Sequence, residues 1–284
     1  MSPRRAQLAW EQRWSRPVAV AALLAVVAFV VSGAVASSVS GDGEAAVLRA
    51  AQEHSSDVTL SGVVETIAFL LLAFPLAYLF RVVKGRAERM QGQMIVLAVL
   101  APLCLAISTG LGVAAKHDAA NRFTAGEAKS TLSRSEARKE CASEKESGRA
   151  SCEQKELEDD KASNAASEAS PAGLATIFGL IGGLSLIVGM FYTSLWAMRT
   201  GVLSRFWAAL GMALGVTVLL GIILFLLLWL VYLGLLIGGW VPGGRPPAWE
   251  AGEAIPWPTP GEKAAADLEP KPEEPEDPEG PSNR

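Results

Sequence analysis

At 284 residues, half of them hydrophobic and with a net charge of −4, the chain lacks the concentrated Lys/Arg face that phosphate binding needs, which excludes nucleic acid as a partner. Two His, three Cys and three Tyr are a thin supply of the groups that usually do chemistry. Apolar residues are instead gathered into runs: residues 18–41, 90–115, 169–198 and 206–244 contain no Asp, Glu, Lys or Arg. A helix rising about 1.5 Å per residue crosses a hydrocarbon core of about 30 Å with ~20 apolar residues, and hydrocarbon admits only helices or closed barrels. The runs predict an all-α, polytopic transmembrane helical bundle, with the lipid bilayer as its first partner.

Residues 1–17 carry Arg4, Arg5, Arg13 and Arg16 against Glu11. Because Lys and Arg near span ends stay on the cytoplasmic side, the N-terminus is expected in the cytoplasm of a multi-pass cell-membrane protein. Three spans with short loops are expected over 18–115. The first, 18–36, ends on Ala34, Val35 and Ala36, a small-residue pattern that also suits signal-peptide cleavage after Ala36. Residues 37–62 have Arg49 as their one Lys/Arg beside Asp42, Glu44, Glu53 and Asp57, which places them outside.

The second span, 60–80, contains Glu65 and Pro75. Proline removes a backbone donor, so a kink near Leu71 is expected. An intramembrane acid is costly and often functional, which makes Glu65 a candidate proton or cation site; the competing reading puts it at the headgroup level or protonated. Arg81, Lys84, Arg86 and Arg89 then mark a cytoplasmic connection. The third span, 94–115, holds Pro102 and Cys104, the latter read as a small buried hydrophobe.

Residues 116–172 form the largest outside segment, rich in Ala, Glu, Lys, Ser and Arg with Phe123 as its one aromatic. This composition predicts solvated helix without a core of its own. Cys141 and Cys152 flank Gly148 there. On an oxidising face they read as a disulfide stapling a helical hairpin, a closure worth about 3 kcal/mol in the chain-entropy model, and two thiolates without a nearby His fall short of a zinc set. His117 beside Asp118 offers a weak pH-sensing or metal pair, against an ordinary interfacial histidine.

Residues 173–241 hold two or three further spans. The apolar stretch 206–241 would measure ~54 Å as one helix, too long for one crossing, while its halves sit at the lower length limit. The chain therefore has five or six spans. Gly179 with Gly183, Gly211 with Gly215, and Gly234 with Gly238 are spaced to let helices approach closely, within the monomer or between copies. Residues 242–284 contain eleven of the sixteen prolines and ten Asp/Glu, and are expected to be an extended, disordered Pro/acidic tail.

Residues 197–207, Ala-Met-Arg-Thr-Gly-Val-Leu-Ser-Arg-Phe-Trp, together with Pro242, Gly243, Gly244, Arg245, Pro246, Pro247, Ala248 and Trp249, resemble a family of multi-pass membrane proteins from high-GC actinobacteria that has no assigned activity. The resemblance covers mainly the last third and implies six spans and a cytoplasmic tail. No Ser-His-Asp set, phosphate loop, HExxH or paired intramembrane acids occur, so no enzyme activity, cofactor or metal is expected. The function expected is that of a non-enzymatic membrane protein acting through partners bound at the outer loop or tail. The alternative is a small transporter or channel using Glu65.

Overall fold

A computed structural model describes the chain over residues 3–143, 145–219 and 223–258, and within these residues every regular element is helical. The elements are α1 (Pro3–Ala36), α2 (Glu44–Glu53), α3 (Ser55–Arg86), α4 (Ile95–Thr124), α5 (Arg134–Glu140), α6 (Glu146–Glu168), α7 (Ala172–Arg199), α8 (Arg205–Leu219), α9 (Leu224–Gly238) and α10 (Pro247–Ala251). Four of them, α1, α3, α4 and α7, are long and apolar enough to cross a membrane. Their direction alternates. Ser32 Oγ of α1 donates to Ser61 O of α3 (3.0 Å), Thr59 Oγ1 of α3 meets His117 Nε2 of α4 (2.9 Å), and Ser108 Oγ of α4 donates to Ala175 O of α7 (2.7 Å).

The long apolar stretch does not form one helix. α8 packs along α7 with Gly211 beside Ser194, and α9 returns along α1 with Gly234 beside Ala22 and Leu23. The 15 described residues of each measure ~22 Å. Aromatic residues tie them together: Trp207 stacks on Tyr232 with ring centroids 3.7 Å apart, and Trp229 Nε1 donates to Trp207 O. Among the described residues the bundle thus has four helices long enough to cross and a further pair of antiparallel apolar helices. α3 stays helical through Pro75, which is buried, so the proline does not end the span.

Glycine lets α7 and α4 meet. A methyl group at Gly182 would lie 2.8 Å from Leu105 Cγ and 3.0 Å from Leu105 N, and one at Gly179 would lie 3.0 Å from Ser108 Oγ. Gly183 is buried on the same helix. The Gly234 and Gly211 contacts are likewise within the monomer, while Gly238 faces Trp240 and the surroundings of Gly215 lie outside the described residues. The apolar core then fills the bundle centre, with Leu72, Leu79, Leu186, Trp229, Leu230 and Leu233 at or below 1% exposure.

Two ends flank this core. One, the basic end, gathers the first turns of α1, the 87–94 connection, the 200–204 turn and residues 239–258. The other, the loop end, carries α2, α5 and α6. Residues 1–17 were expected to lie outside the bilayer, and from Pro3 onward they prolong α1, whose 34 residues span ~51 Å, well beyond the hydrocarbon thickness.

Residues 242–258 do not form the extended tail that composition predicts. Residues 242–258 fold back across the basic end, where Ala248 and Trp249 of α10 are 0% and 4% exposed. The physical reason is that Trp249 and Trp257 have specific acceptors to reach: Trp249 Nε1 donates to Val202 O (2.9 Å) and Trp257 Nε1 to Leu203 O (2.8 Å). Buried indole N–H groups need such partners. Ile255 N also donates to Thr200 O (3.1 Å), and Gly201, at φ +71°, has no room for a side chain beneath the Ile255 carbonyl. Residues 259–284 of the expected tail lie outside the described residues.

Candidate functional site

At the loop end, residues 116–172 were expected to lack a core of their own, and the structure gives them one shared with α2. Ala45, Leu48 and Ala51 of α2, Ala119 and Ala120 of α4, and Ala162 and Ala165 of α6 bury one another in a cluster distinct from the bundle core. Small side chains let helices approach closely, so a segment poor in large apolar residues still excludes water once α2 and the top of α4 share the work. The core was illegible within the loop because its partners are more than a hundred positions away in α2.

Carboxylates of α6 lock the cap in place. Asp159 Oδ1 accepts from Ala45 N at the start of α2 (2.9 Å), supplying an acceptor to free amides at a helix N-terminus. Glu158 pairs with Arg49 of α2, and this bond holds the Glu158 carboxyl below its usual range. Asp160 gathers the loop before α5: its carboxylate accepts from Thr131 N (2.7 Å), Leu132 N (3.0 Å) and Ser130 Oγ (2.8 Å). Those donors, led by Leu132 N, lower its affinity for a proton. Ser133 then caps α5 in a reciprocal box with Glu136, whose carboxyl is also held low by the Ser133 hydrogen bonds.

Cys141 and Cys152 are joined in a disulfide, with Cα atoms 6.0 Å apart, linking the end of α5 to α6. Arg138 lies 3.6 Å from Glu153 across the same junction. His117 and Asp118 do not pair with each other. Asp118 Oδ2 accepts from Arg122 Nε (3.1 Å) and Ser170 N (3.2 Å), while His117 turns to Thr59. Neighbouring residues on a helix point about 100° apart, so adjacency in sequence does not bring the two side chains together. The polar face left by these contacts includes the exposed side chains of Arg134, Lys139, Lys155 and Lys161.

The other sequence candidates fall elsewhere. Glu65 is half-buried on α3, with Lys116 as the cation whose field reaches it. Cys104 is buried and free. The void at the bundle centre, beside Leu76, Leu186, Ser194 and Trp229, measures about 10 Å³, room for one water at most.

The basic end holds an arrangement that sequence reading missed. Arg86 Nη1 and Nη2 donate to Glu11 Oε1 (2.8 Å) and Oε2 (2.9 Å), with the two side chains 1% and 6% exposed. The same guanidinium donates from Nε to Ala248 O (2.8 Å) and from Nη1 to Val82 O (2.8 Å), and Tyr78 Oη donates to Glu11 O (2.9 Å). Arg245 turns back to donate to Leu236 O (3.0 Å) and to Ile237 O at the end of α9. These groups join α1, α3, α9 and α10, and a cavity of about 360 Å³ opens beside Glu11, Tyr78, Arg245 and Trp249. No protein-family model, curated protein or solved structure matches this chain.

Proposed function

We propose that this multi-pass membrane protein has no catalytic activity of its own and works by presenting the disulfide-stapled cap to a protein partner on the non-cytoplasmic face of the cell membrane. The observation that carries the reading is the way the cap is fixed. An alanine core, the Asp159 bond to α2, the Asp160 cradle and the disulfide hold a charged surface rigidly on the tops of the spans. Two independent signals support its side. The short connection at the opposite end carries Arg81, Lys84, Arg86 and Arg89 against Glu88 alone, as on a cytoplasmic face, and a disulfide needs an oxidising compartment. A preorganised surface binds without the ordering cost that a flexible loop incurs.

Transport through Glu65 has less support, because the bundle centre is filled by large apolar side chains around a void of about 10 Å³. Purification of the full chain from native membranes in mild detergent, with mass spectrometry of what accompanies it, tests the proposal. A reproducible heterologous partner that is lost when Arg134→Glu and Lys155→Glu are combined is the expected result. A homo-oligomer free of other proteins in every preparation overturns it, and Glu65→Gln flux assays then become the decisive experiment.

A further inference from the structure

Between α1, α3 and α4 a groove of about 550 Å³ opens on the side of the bundle, within the size range of small-molecule sites. Its floor is made by Ala73 and Ala77, one helical turn apart on α3, where the absence of larger side chains creates the hollow. Val18 of α1 and Leu103 of α4 form walls. From Leu70 to Arg81 the groove follows α3 for ~16 Å, about the depth of one leaflet of a 30 Å hydrocarbon core.

The groove ends in a cation. Arg81 is exposed, and its guanidinium carbon lies 4.9 Å from the centre of the Trp10 ring. Among the described residues, the ion pairs involve Arg4, Arg49, His54, Arg86, Arg122 and Arg138, and none involves Arg81. Stacking on an indole orients a guanidinium while leaving its N–H edge free, the edge that recognises phosphate in a bidentate manner. Trp14 sits beside it, 44% exposed, as indoles do at the headgroup level.

We propose that this groove is a binding site for one anionic glycerophospholipid, its phosphate on Arg81 and one acyl chain along Ala73 and Ala77. A bilayer covers every apolar face with exchanging lipid. What distinguishes this face is a hollow one leaflet deep, closed at the headgroup level by a cation without an acidic partner among the described residues. Basic pockets between spans select anionic headgroups on these physical grounds.

Native mass spectrometry of the full chain in detergent, titrated with palmitoyl-oleoyl phosphatidylglycerol or the matching phosphatidylcholine, reads the site directly. One phosphatidylglycerol is expected to be retained, about five- to tenfold more tightly than phosphatidylcholine, as for one favourable charge at the surface. Arg81→Gln should abolish the preference, and Ala77→Leu, which fills the hollow, should weaken both lipids. Leu180→Ala on the exposed face of α7 should change neither. Arg81 makes no structural hydrogen bond among the described residues, so its variant keeps the test decisive if Ala77→Leu misfolds. Equal retention of the two lipids by the unmodified chain, unchanged retention in Arg81→Gln, or full displacement of phosphatidylglycerol by excess inorganic phosphate would each overturn the proposal.

Discussion

The two ends of the bundle are built on opposite plans. At the basic end, large aromatic side chains and a buried ion pair close the structure: Trp249 stacks at 6.5 Å on Tyr78, which itself stacks at 5.3 Å on Trp10, all packed around Arg86 and Glu11. At the loop end, alanines make the core, and exposed or half-exposed carboxylates and a disulfide hold the helices to it. The first plan concentrates its free energy in one desolvated pair that fails as a unit. The second spreads it over several modest contacts beside solvent. The comparison teaches where each end is vulnerable: the basic end to loss of one partner, the loop end to reduction and to acid.

The largest effect is expected from Arg86→Met, which leaves the Glu11 carboxylate buried without its cation. Removing one member of a buried pair costs about 3–5 kcal/mol, whereas replacing both by apolar groups is often neutral. Thermal unfolding in detergent should therefore show a large drop for Arg86→Met and substantial recovery when Glu11→Leu is added. All eight tryptophans lie outside the segment between α1 and α7, so indole fluorescence reports the basic end and the core and is blind to the cap. A single Arg86 variant as stable as the unmodified chain would end the claim that this pair closes the basic end.

Next in size is the staple. Replacing Cys141 and Cys152 by Ser should remove about 3 kcal/mol from the cap by the loop-closure model, while the tryptophan-reported transition stays in place. Proteolysis across 125–171 is expected to accelerate under reducing conditions in the unmodified chain and to be insensitive to reductant in the variant. If the fluorescence transition shifts as much as the proteolysis rate, the two ends are one cooperative unit and the contrast between them is lost.

How much of this was legible in the sequence follows the range of the interactions. The spans were legible because hydrophobic runs are local, and so was the staple, because Cys141 and Cys152 are eleven residues apart in a polar segment. Arg86 was read as a topological marker and Glu11 as a lone counter-charge, since nothing local tells that residues 75 apart meet. The glycine pairs pointed to close helix contact, but Gly182, which abuts Leu105, falls outside the four-residue spacing that selected Gly179 and Gly183. Proline density and acidic charge in 242–284 masked Trp249 and Trp257, whose acceptors are backbone carbonyls in a turn about fifty residues earlier. Asp160 looked like one acid among many in a charged helix, and only the fold brings the 130–132 amides to it.

The smallest predicted effect isolates that cradle. Asp160 accepts from two backbone amides and a hydroxyl, and these bonds favour its charged form, so its folded pKa lies below the ordinary 3.8. A carboxyl depressed on folding contributes stability that is fully present above its unfolded value and is lost as pH falls through the folded one. Glu158 and Glu136 shift in the same direction, from the Arg49 and Ser133 bonds respectively, so acid should loosen the cap from several points together. Hydrogen exchange, corrected for the intrinsic rate, should show the Thr131 and Leu132 amides protected at pH 7 and losing protection below about pH 4, near the unfolded Asp value. In Asp160→Asn the same two amides are expected to be less protected at pH 7 and to change little on acidification. Equal pH dependence in both proteins would assign the loosening to Glu158 and Glu136 and remove Asp160 from the loop's support.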